Sequence, residues 1–254
     1  MTRSYSIPTL SRAIKIIELV SASENGLTLN EIESTLHIPK TTAFRILRTL
    51  ERENWIQKKA DCFTTGHRMI QYGILALSKI ELRKLAPPYL DRLSKETGET
   101  SHMGVFYSNK VLIADVCDGP KHIKISSRPG SLIAPYCSSM GKILLADMSD
   151  ESLDGFLKTL SLERRTQHTI TDKETLKKEL LTIRNRGYSV DNMEYYDNVR
   201  CLAAPVRNAF GEVIAAIGIT AVTISFKKSM IPSRASIVKR IADEFSKEMG
   251  AHTA

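Results

Sequence analysis

The strongest chemical signal in the sequence is a basic helix face. In the run Pro39–Arg52, apolar residues recur at positions 43, 46, 47 and 50, which is the spacing of one buried helix face. At about 100° per residue, the opposite face carries Thr41, Arg45, Arg48 and Arg52. Guanidinium and hydroxyl groups on the exposed side of a short helix can contact phosphates and base edges. An ordinary amphipathic helix with a basic face has the same spacing. The neighbouring elements must therefore distinguish a DNA-binding helix from an ordinary surface helix.

Those neighbouring elements predict a winged helix-turn-helix. Apolar residues at 10, 13, 14, 17 and 20 indicate a first helix that ends near Ser21, and Thr28 to Glu31 has the sequence of a capping box at the start of a second. After the basic helix, 55–59 and 62–65 are strand-like and closely joined, which predicts a β-hairpin wing. We expect the helix to read base edges and the wing to contact phosphates. The predicted DNA contacts are Lys40, Thr41, Thr42, Arg45, Arg48, Lys58 and Lys59.

A helical connector is predicted after the wing. An apolar stripe passes through Ile70, Ile74 and Leu77, Pro87-Pro88 is expected to interrupt the helix, and Gly98 is expected to end its second part. The stripe could pack onto its own domain or against a second copy of the chain. Because a winged helix of about 65 residues has little core to spare, the sequence favours dimerisation.

Beyond Gly98 the pattern changes to strands with a helical insertion. Strands are predicted at 101–107, 111–116, 122–127, 188–191, 201–207 and 213–222, and helices at 139–146, 151–160, 172–186 and 234–249, with a capping box at 171–174. Strands joined by short turns must pair antiparallel. The predicted fold class is α+β, with an N-terminal winged helix-turn-helix over 1–66, a helical linker over 67–98 and an antiparallel sheet with helices over 99–254.

The cysteines and histidines do not predict catalysis. Cys62, Cys117, Cys137 and Cys201 lack CxxC spacing and a histidine at ligand spacing, so neither a disulfide framework nor a zinc site is expected. A thiol nucleophile needs a histidine base, and the sequence places no histidine against these cysteines. No GxSxG, HExxH or phosphate-binding loop is present. The sequence therefore predicts no enzyme, no metal and no cofactor.

The run Ser138-Ser139-Met140-Gly141 predicts the start of a helix with small residues at its end. Free backbone amides at a helix N-terminus attract anions, and small residues allow a ligand to approach closely. A plain N-cap at Ser138 explains the same residues. On the sequence alone both interpretations stay open.

Composition places the chain among ordinary globular proteins with a basic bias. Of its 254 residues, 42% are hydrophobic and 25% are charged, and half of the formal net charge of +8 lies in residues 1–80. No apolar run reaches the ~18 residues of a membrane span, and residues 1–8 lack the apolar core of a secretory signal. We therefore expect a cytoplasmic protein that does not contact a membrane.

Several runs, taken in order, form a specific pattern. They are LTLNEIESTLHIPKTTAFRILRTLERENWI, FTTGHRMIQYG, LSKETGETSHMGV, PYCSSMGKILLA, RNRGYSVDNMEYYDNVRCLAAPV and FGEVIAAIGIT. In this order they resemble the IclR family of bacterial transcriptional regulators over nearly the whole chain. The resemblance implies a GAF-like effector domain in the C-terminal part, and a homodimer or homotetramer that binds double-stranded operator DNA.

The same resemblance implies where an effector binds. Small carboxylate effectors of the family contact the positions that match Ser139, Met140, Asp191, Cys201, Gly218 and Thr220. Family members with a very small ligand can carry alanine at the position of Met140 and serine at the position of Gly218. Compared with them, we expect Met140 to narrow the pocket and Gly218 to open it. Asp191 would repel a carboxylate unless it accepts hydrogen bonds from ligand hydroxyls, which favours a hydroxylated acid such as a sugar acid. A turn acid at Asp191 and a small buried hydrophobe at Cys201 remain the alternative interpretations.

The predicted function is that of a ligand-responsive DNA-binding regulator, a repressor of a catabolic operon that senses a small organic acid. Such an effector must bind the DNA-competent and DNA-incompetent states unequally. One alternative is a small-molecule enzyme with an appended nucleic-acid-binding module, which would turn over candidate acids. Another is a structural nucleoid protein, which would bind DNA without sequence preference.

Overall fold

The computed structural model describes residues 6–78, 81–122, 125 and 127–251. The chain divides into two compact units, 1–79 and 80–254, so the predicted linker at 67–98 is shared between them. Within the described ranges, no helix combines the length and the apolar character needed to cross a bilayer.

The first unit, in its described part, combines helices with a small antiparallel sheet. In chain order its elements are α1 (Pro8–Ala22), β1 (Leu27–Thr28), α2 (Leu29–Leu36), α3 (Lys40–Arg52), β2 (Ile56–Lys59), β3 (Cys62–Thr65) and α4 (His67–Ser78). The strand order is β1-β3-β2, and β2 and β3 form the predicted wing. Sequence analysis missed β1, a two-residue strand in which Leu27 pairs with Phe63.

The ends of α2 fix the turn before α3. The predicted capping box is confirmed, because the Thr28 amide donates to the Glu31 carboxylate at 2.7 Å and the Glu31 amide donates to the Thr28 hydroxyl at 3.3 Å. His37 ends α2 in the left-handed conformation with φ 51°. The apolar face of α3 is buried as predicted, at Ala43, Ile46, Leu47 and Leu50.

The predicted apolar stripe of α1 is partly wrong. Leu10 and Ile14 are 56% and 49% exposed, whereas Ile16 and Val20 are buried. The reason is that the small core of the first unit lies against the last two turns of α1.

The second unit contains a six-stranded antiparallel sheet among its described residues. Its elements are α5 (Glu81–Thr97), β4 (Thr100–Tyr107), β5 (Lys110–Cys117), β6 (Leu132–Ile133), α6 (Ser139–Ala146), α7 (Asp150–Thr159), α8 (Lys173–Arg186), β7 (Ser189–Asn192), β8 (Val199–Arg207), β9 (Val213–Val222), a short 3-10 helix (Lys228–Met230) and α9 (Ile231–Glu248). The strand order is β6-β5-β4-β9-β8-β7, so the last long strand lies beside the first. This arrangement confirms the predicted α+β class.

Each face of this sheet has its own apolar core. Leu202, Ile217 and Ile219 point to the side covered by α5 and α9, where Leu90 and Phe245 pack. The opposite side is covered by α6, α7 and α8, with Met140, Ala203 and Ala216 in its core. Since successive side chains of a strand alternate between faces, β8 and β9 contribute to both cores.

The predicted interruption at Pro87-Pro88 is wrong, because α5 continues through both prolines. Each proline removes a backbone donor and crowds the preceding turn, which destabilises a helix interior. Ala86, Leu90 and Leu93 are packed into the core of the second unit and hold the helix together across that site.

Two further predictions differ from the structure. The capping box at 171–174 is displaced by one residue, since Asp172 is the N-cap of α8 and accepts from the Thr175 amide at 2.7 Å. In the predicted strand at 122–127, residues 123, 124 and 126 lie outside the described residues, and His122, Ile125 and Ser127 are not in a strand.

Candidate functional sites

The outer face of α3 presents cations to solvent. Lys40, Thr41, Arg45 and Arg48 are exposed, and Thr42 is half-buried. Arg48 donates to the Glu51 carboxylate at 2.9 Å, so part of its charge is compensated. The Arg45 backbone carbonyl accepts from the Thr49 hydroxyl at 2.9 Å, but its guanidinium has neither a hydrogen bond nor an ion pair with any residue that the structure describes. Its guanidinium is therefore available to a ligand.

Phe44 is a surface residue of α3 that sequence analysis did not single out. Its side chain is 50% exposed, next to Arg45 and one turn before Arg48. Its place outside the apolar stripe is the signal that could have identified it. An exposed aromatic ring on a helix that enters the major groove can contact a thymine methyl group.

The wing carries the two predicted lysines on β2. Lys58 lies 3.5 Å from the Asp61 carboxylate at the tip, and both Lys58 and Lys59 are exposed. Ala60, in the turn between the strands, has a φ of 51°. The tight turn brings Asp61 back toward Lys58, so Lys59 keeps the less compensated charge.

A cavity of about 150 Å³ lies between the sheet of the second unit and the N-terminus of α6. Its lining includes five of the six predicted effector positions. The lining residues are His102, Ile113, Ile125, Ser127, Arg128, Ser131, Ile133, Ser138, Ser139, Met140, Asp191, Tyr195, Tyr196, Val199, Cys201 and Thr220.

Gly218 is the predicted position that does not line this cavity. A Cβ atom at Gly218 would lie 2.1 Å from the Leu202 carbonyl oxygen, so the absence of a side chain permits a close approach of β8 and β9. We expected Gly218 to open the pocket, and its position instead serves the packing of the two strands.

Three of the polar residues in the cavity lie side by side across the sheet. Asp191 pairs with Cys201, and Cys201 pairs with Thr220, on the adjacent strands β7, β8 and β9. Directly paired residues share a face, so all three side chains point to the cavity. The Cys201 thiol donates a hydrogen bond to the Thr220 hydroxyl at 3.2 Å.

The Asp191 carboxyl is almost completely buried. It accepts hydrogen bonds from the Glu194 amide at 2.7 Å and the Tyr195 amide at 3.3 Å. Burial, together with the nearby negative charge of Glu194, raises the pKa of Asp191 to about 7, although these amide hydrogen bonds oppose the change. Near neutral pH a large fraction of Asp191 is therefore protonated, and it can donate as well as accept a hydrogen bond.

The N-terminus of α6 serves as both a cap and a source of free amides. The Ser138 hydroxyl accepts from the Gly141 amide at 3.2 Å, which confirms the plain N-cap. The Ser139 and Met140 amides have no acceptor among the described residues, and both residues line the cavity. Gly141 allows this placement, because a Cβ atom there would lie 2.3 Å from Pro135 Cα.

Met140 closes one side of the cavity. It is 2% exposed, and its sulfur occupies space over Gly104, where a Cβ atom would lie 2.8 Å from Met140 Sδ. The flexible thioether side chain thus fills the gap that Gly104 leaves on β4.

Several lining residues were missed by sequence analysis. Burial lowers the pKa of His102 to about 4, so this imidazole is neutral at physiological pH. Tyr195 stacks under the guanidinium of Arg165, 4.3 Å from ring centroid to Cζ, and Tyr196 packs edge-on against Tyr195. Arg128 is an exposed cation at this cavity. Apart from the adjacent Tyr195 and Tyr196, these residues come from separate parts of the chain, so no local pattern could have grouped them.

The cavity is suited to binding and poorly suited to thiol catalysis. His102, Asp191 and Cys201 all line it, which is the set of groups a thiol nucleophile would need. Burial and the charge of Asp191 raise the pKa of Cys201 well above its ordinary value, so the reactive thiolate is disfavoured. Within the described residues, Cys201 donates to Thr220 and has no histidine partner.

Fold and sites together define a DNA-binding transcriptional regulator that carries a separate ligand-binding domain. Residues 9–60 match the IclR helix-turn-helix domain, and residues 74–247 match the domain described as bacterial transcriptional regulator IclR C-terminal. The chain belongs to the IclR family of bacterial transcriptional regulators.

Individual relatives agree with this membership. The chain is 32% identical over 245 residues to the HTH-type transcriptional regulator BhcR of Paracoccus denitrificans, covering 96% of this chain and 88% of that one. It is 36% identical over 220 residues to the uncharacterized HTH-type transcriptional regulator RhmR of Escherichia coli, covering 86% and 84%. The crystal structure of the Thermotoga maritima IclR is 28% identical, with a TM-score of 0.80 and coverage of 96% and 100%.

Proposed function

We propose that α3 enters the major groove of operator DNA and that Arg45 contacts a base edge there. Support comes from its exposure and from the absence of a described partner for its guanidinium. Arginine can donate two hydrogen bonds to guanine, which makes it the commonest reader of a base. Lys40, Thr41, Thr42 and Arg48 on the helix, and Lys58 and Lys59 on the wing, hold the flanking phosphates.

The cavity of the second unit takes a small organic acid, for which a sugar acid is the favoured class. One observation carries this proposal, namely that the same cavity is bordered by the free amides of Ser139 and Met140 and by the buried Asp191. The amides attract the ligand carboxylate. Asp191, with Cys201 and Thr220 beside it, exchanges hydrogen bonds with ligand hydroxyls.

The acid regulates DNA binding and is not turned over. The protein represses a catabolic operon when the acid is absent. When the acid binds, the protein leaves the operator, so that the operon is expressed when its carbon source is present. The regulator acts as a homodimer or homotetramer in the cytoplasm, where its operator lies. Two-fold symmetry would present two copies of α3 to a pseudo-palindromic site.

The test begins with operator fragments obtained by selection from random duplexes with the full-length protein. Fluorescence anisotropy then measures operator affinity, with and without each member of a panel of sugar acids and simple organic acids. We expect one acid to stabilise the protein thermally and to lower its operator affinity. At about 100 times its Kd, the stabilisation should reach about 2.7 kcal/mol.

Two results would overturn the proposal. Selection that yields no preferred sequence would assign the chain to non-specific DNA binding. Conversion of an acid to a product, followed by NMR, would assign the cavity to an enzyme. Arg164, exposed in the second unit and without an ion pair among the described residues, provides a matched control, and Arg164→Ala should leave operator affinity unchanged.

A further inference from the structure

His102 is a buried side chain without a hydrogen-bond partner in the part of the chain that the structure describes. It is 4% exposed, and neither Nδ1 nor Nε2 has a partner there. Other buried polar side-chain atoms without a described partner belong to Arg83, Ser189 and Glu194, and none of these three residues lines the cavity. His102 does line it. Unused hydrogen-bonding capacity therefore lies at the wall of the ligand space.

His102 on β4 lies on the same face of the sheet as the polar row, the cross-strand set formed by Asp191, Cys201 and Thr220. It pairs with Gly218 on β9, two residues from the pair formed by Thr100 and Thr220. Because the side-chain period of a strand is two, His102 shares a face with Thr220 and so with the row that ends at Asp191. Gly218, directly opposite, has no side chain that could accept from or crowd the imidazole.

The charged and titratable neighbours around this space do not supply the missing partner. The lining contributes Asp191 from β7, Cys201 from β8, Tyr195 and Tyr196 after β7, and Arg128 before β6. The carboxyl of Asp191 accepts from the Glu194 and Tyr195 amides, and Cys201 donates to Thr220. From α6, the side that covers the sheet contributes the uncharged Ser139 and Met140. Something that enters the cavity must therefore satisfy His102.

We propose that His102 is a specificity-determining residue, which exchanges a hydrogen bond with a hydroxyl group of the effector while the effector carboxylate lies at the α6 amides. This inference rests on the proposed function of the cavity. A neutral imidazole has one donor and one acceptor nitrogen, and a hydroxyl group can pair with either. The effector class is therefore a hydroxy acid, and the same acid without its hydroxyl groups leaves His102 unpaired and is rejected.

The experiment compares matched acids on the full-length protein. Isothermal calorimetry measures the binding of D-gluconate against hexanoate and of D-glycerate against propionate, pairs that share a carbon number and differ in hydroxyl groups. The variants are His102→Phe, which removes both polar nitrogens, and His102→Gln, which keeps a donor and an acceptor. Met103→Leu, on the opposite face of β4, is the matched control for disturbance of the strand.

The wild-type protein should bind at least one hydroxy acid ten times or more tightly than its deoxygenated counterpart. His102→Phe should reduce that preference at least threefold, because Asp191 still pairs with ligand hydroxyls, while the variant unfolds at the same or a higher temperature than the wild type. His102→Gln should lose less of the preference than His102→Phe. Met103→Leu should keep it in full. Retention of the full preference in His102→Phe would overturn the role of His102.

Failure of this inference can be distinguished from failure of the proposed function. If neither hydroxy acid binds and an acid without hydroxyl groups releases the operator, the hydroxy-acid class is overturned and effector control survives. If the wild type binds each deoxygenated acid as tightly as its hydroxylated counterpart, the same conclusion follows. If the wild-type protein shows no selective operator binding, the proposed function itself is overturned. Operator binding is measured independently by fluorescence anisotropy.

Discussion

Lys142 of α6 and Glu194, in the segment between β7 and β8, form a buried ion pair with a nitrogen–oxygen distance of 2.5 Å. Lys142 also donates to the Val190 carbonyl at 2.7 Å, and the Glu194 amide donates to Asp191 at the same distance. The helix that supplies the cavity amides is thus tied to the segment that positions Asp191. A ligand that contacts both α6 and Asp191 would therefore act on two elements that are already joined by this ion pair.

Breaking this pair should cost considerable stability. Glu194→Gln leaves the buried Lys142 ammonium with only the more distant Glu179 carboxylate, at 3.8 Å, and removal of one member of a buried pair typically costs about 3 kcal/mol or more. For a domain of this size that corresponds to a fall of about 6–12 °C in melting temperature. Thermal unfolding followed by circular dichroism provides the measurement.

Two controls accompany the Glu194 variant. Lys142→Met combined with Glu194→Leu removes both charges and should be less destabilised than Glu194→Gln alone. Asp154 forms an exposed pair with Lys177 at 2.7 Å, and Asp154→Asn should cost less than about 1 kcal/mol. Equal losses in the buried and exposed pairs would contradict the assigned role of burial.

Replacement of Arg45 should alter the sequence specificity of DNA binding. Arg45→Ala removes a base contact, so we expect a loss of about 1–3 kcal/mol and relaxed preference at one operator position. Selection from random duplexes, repeated with the variant, measures both effects. An unchanged preferred sequence would remove Arg45 from base recognition.

Replacement of Lys58 should act differently, because the wing contacts phosphates. Lys58→Ala should weaken all duplexes alike and reduce the slope of log K against log salt by about 0.9. Since Asp61 lies 3.5 Å from Lys58, Lys59→Ala should give an effect at least as large. A change in preferred sequence for either variant would contradict a purely electrostatic role.

Two buried groups in the cavity should give the protein opposite pH dependences. The pKa of Asp191 is raised to about 7 by burial, so the folded state binds more protons than the unfolded state between pH 4 and 7, and stability falls as pH rises there. The pKa of His102 is lowered to about 4 by burial, so the unfolded state binds more protons between pH 4 and 6.5, and stability rises with pH there.

Single variants should separate these two contributions. The melting temperature of Asp191→Asn, relative to wild type, should increase as pH is raised from 4 to 7. That of His102→Phe, relative to wild type, should be highest near pH 4 and decline toward pH 6.5. Differential scanning calorimetry across this range is the measurement, and parallel curves for wild type and both variants would contradict the predicted titrations.

Asp191 variants should also report how the ligand is held. If Asp191 exchanges hydrogen bonds with ligand hydroxyls, Asp191→Asn keeps an acceptor and should weaken effector binding by about 1 kcal/mol, and Asp191→Ala should weaken it further. Operator affinity without effector should stay near wild type in both. Tighter binding by Asp191→Asn would show that the carboxylate repels the ligand, and unchanged affinity in both would place the ligand elsewhere.

The exposed side chain of Ile70 on α4 should lie in a contact between copies of the chain. It is 59% exposed in the single chain, and the side chains of Ile74 and Leu77 lie outside the described residues. Ile70→Asp should therefore shift the full-length protein toward smaller species in light scattering. Gln71→Asp, exposed beside it, adds the same charge without removing an apolar group and serves as the control. Equal masses for Ile70→Asp and wild type would argue against this contact.

Periodicity and local capping could be read directly from the sequence. The buried stripe of α3, the capping box of Thr28 and Glu31, and the wing follow from residues within a few positions of one another, and all three are present in the structure. The predicted strand over 213–222 coincides with β9. The errors concern places where tertiary packing overrides local preference, as when the core holds α5 helical through Pro87 and Pro88.

The sequence by itself determined which elements form and that one helix presents arginines to solvent, because both depend on the order of neighbouring residues. Tertiary structure decided what lies together in the cavity. His102, Ser139 and Asp191 are far apart in the chain and meet only because β4 pairs with β9 and α6 crosses the same face of the sheet. Burial and the pKa changes of His102 and Asp191 depend on that long-range pairing, which no local pattern encodes.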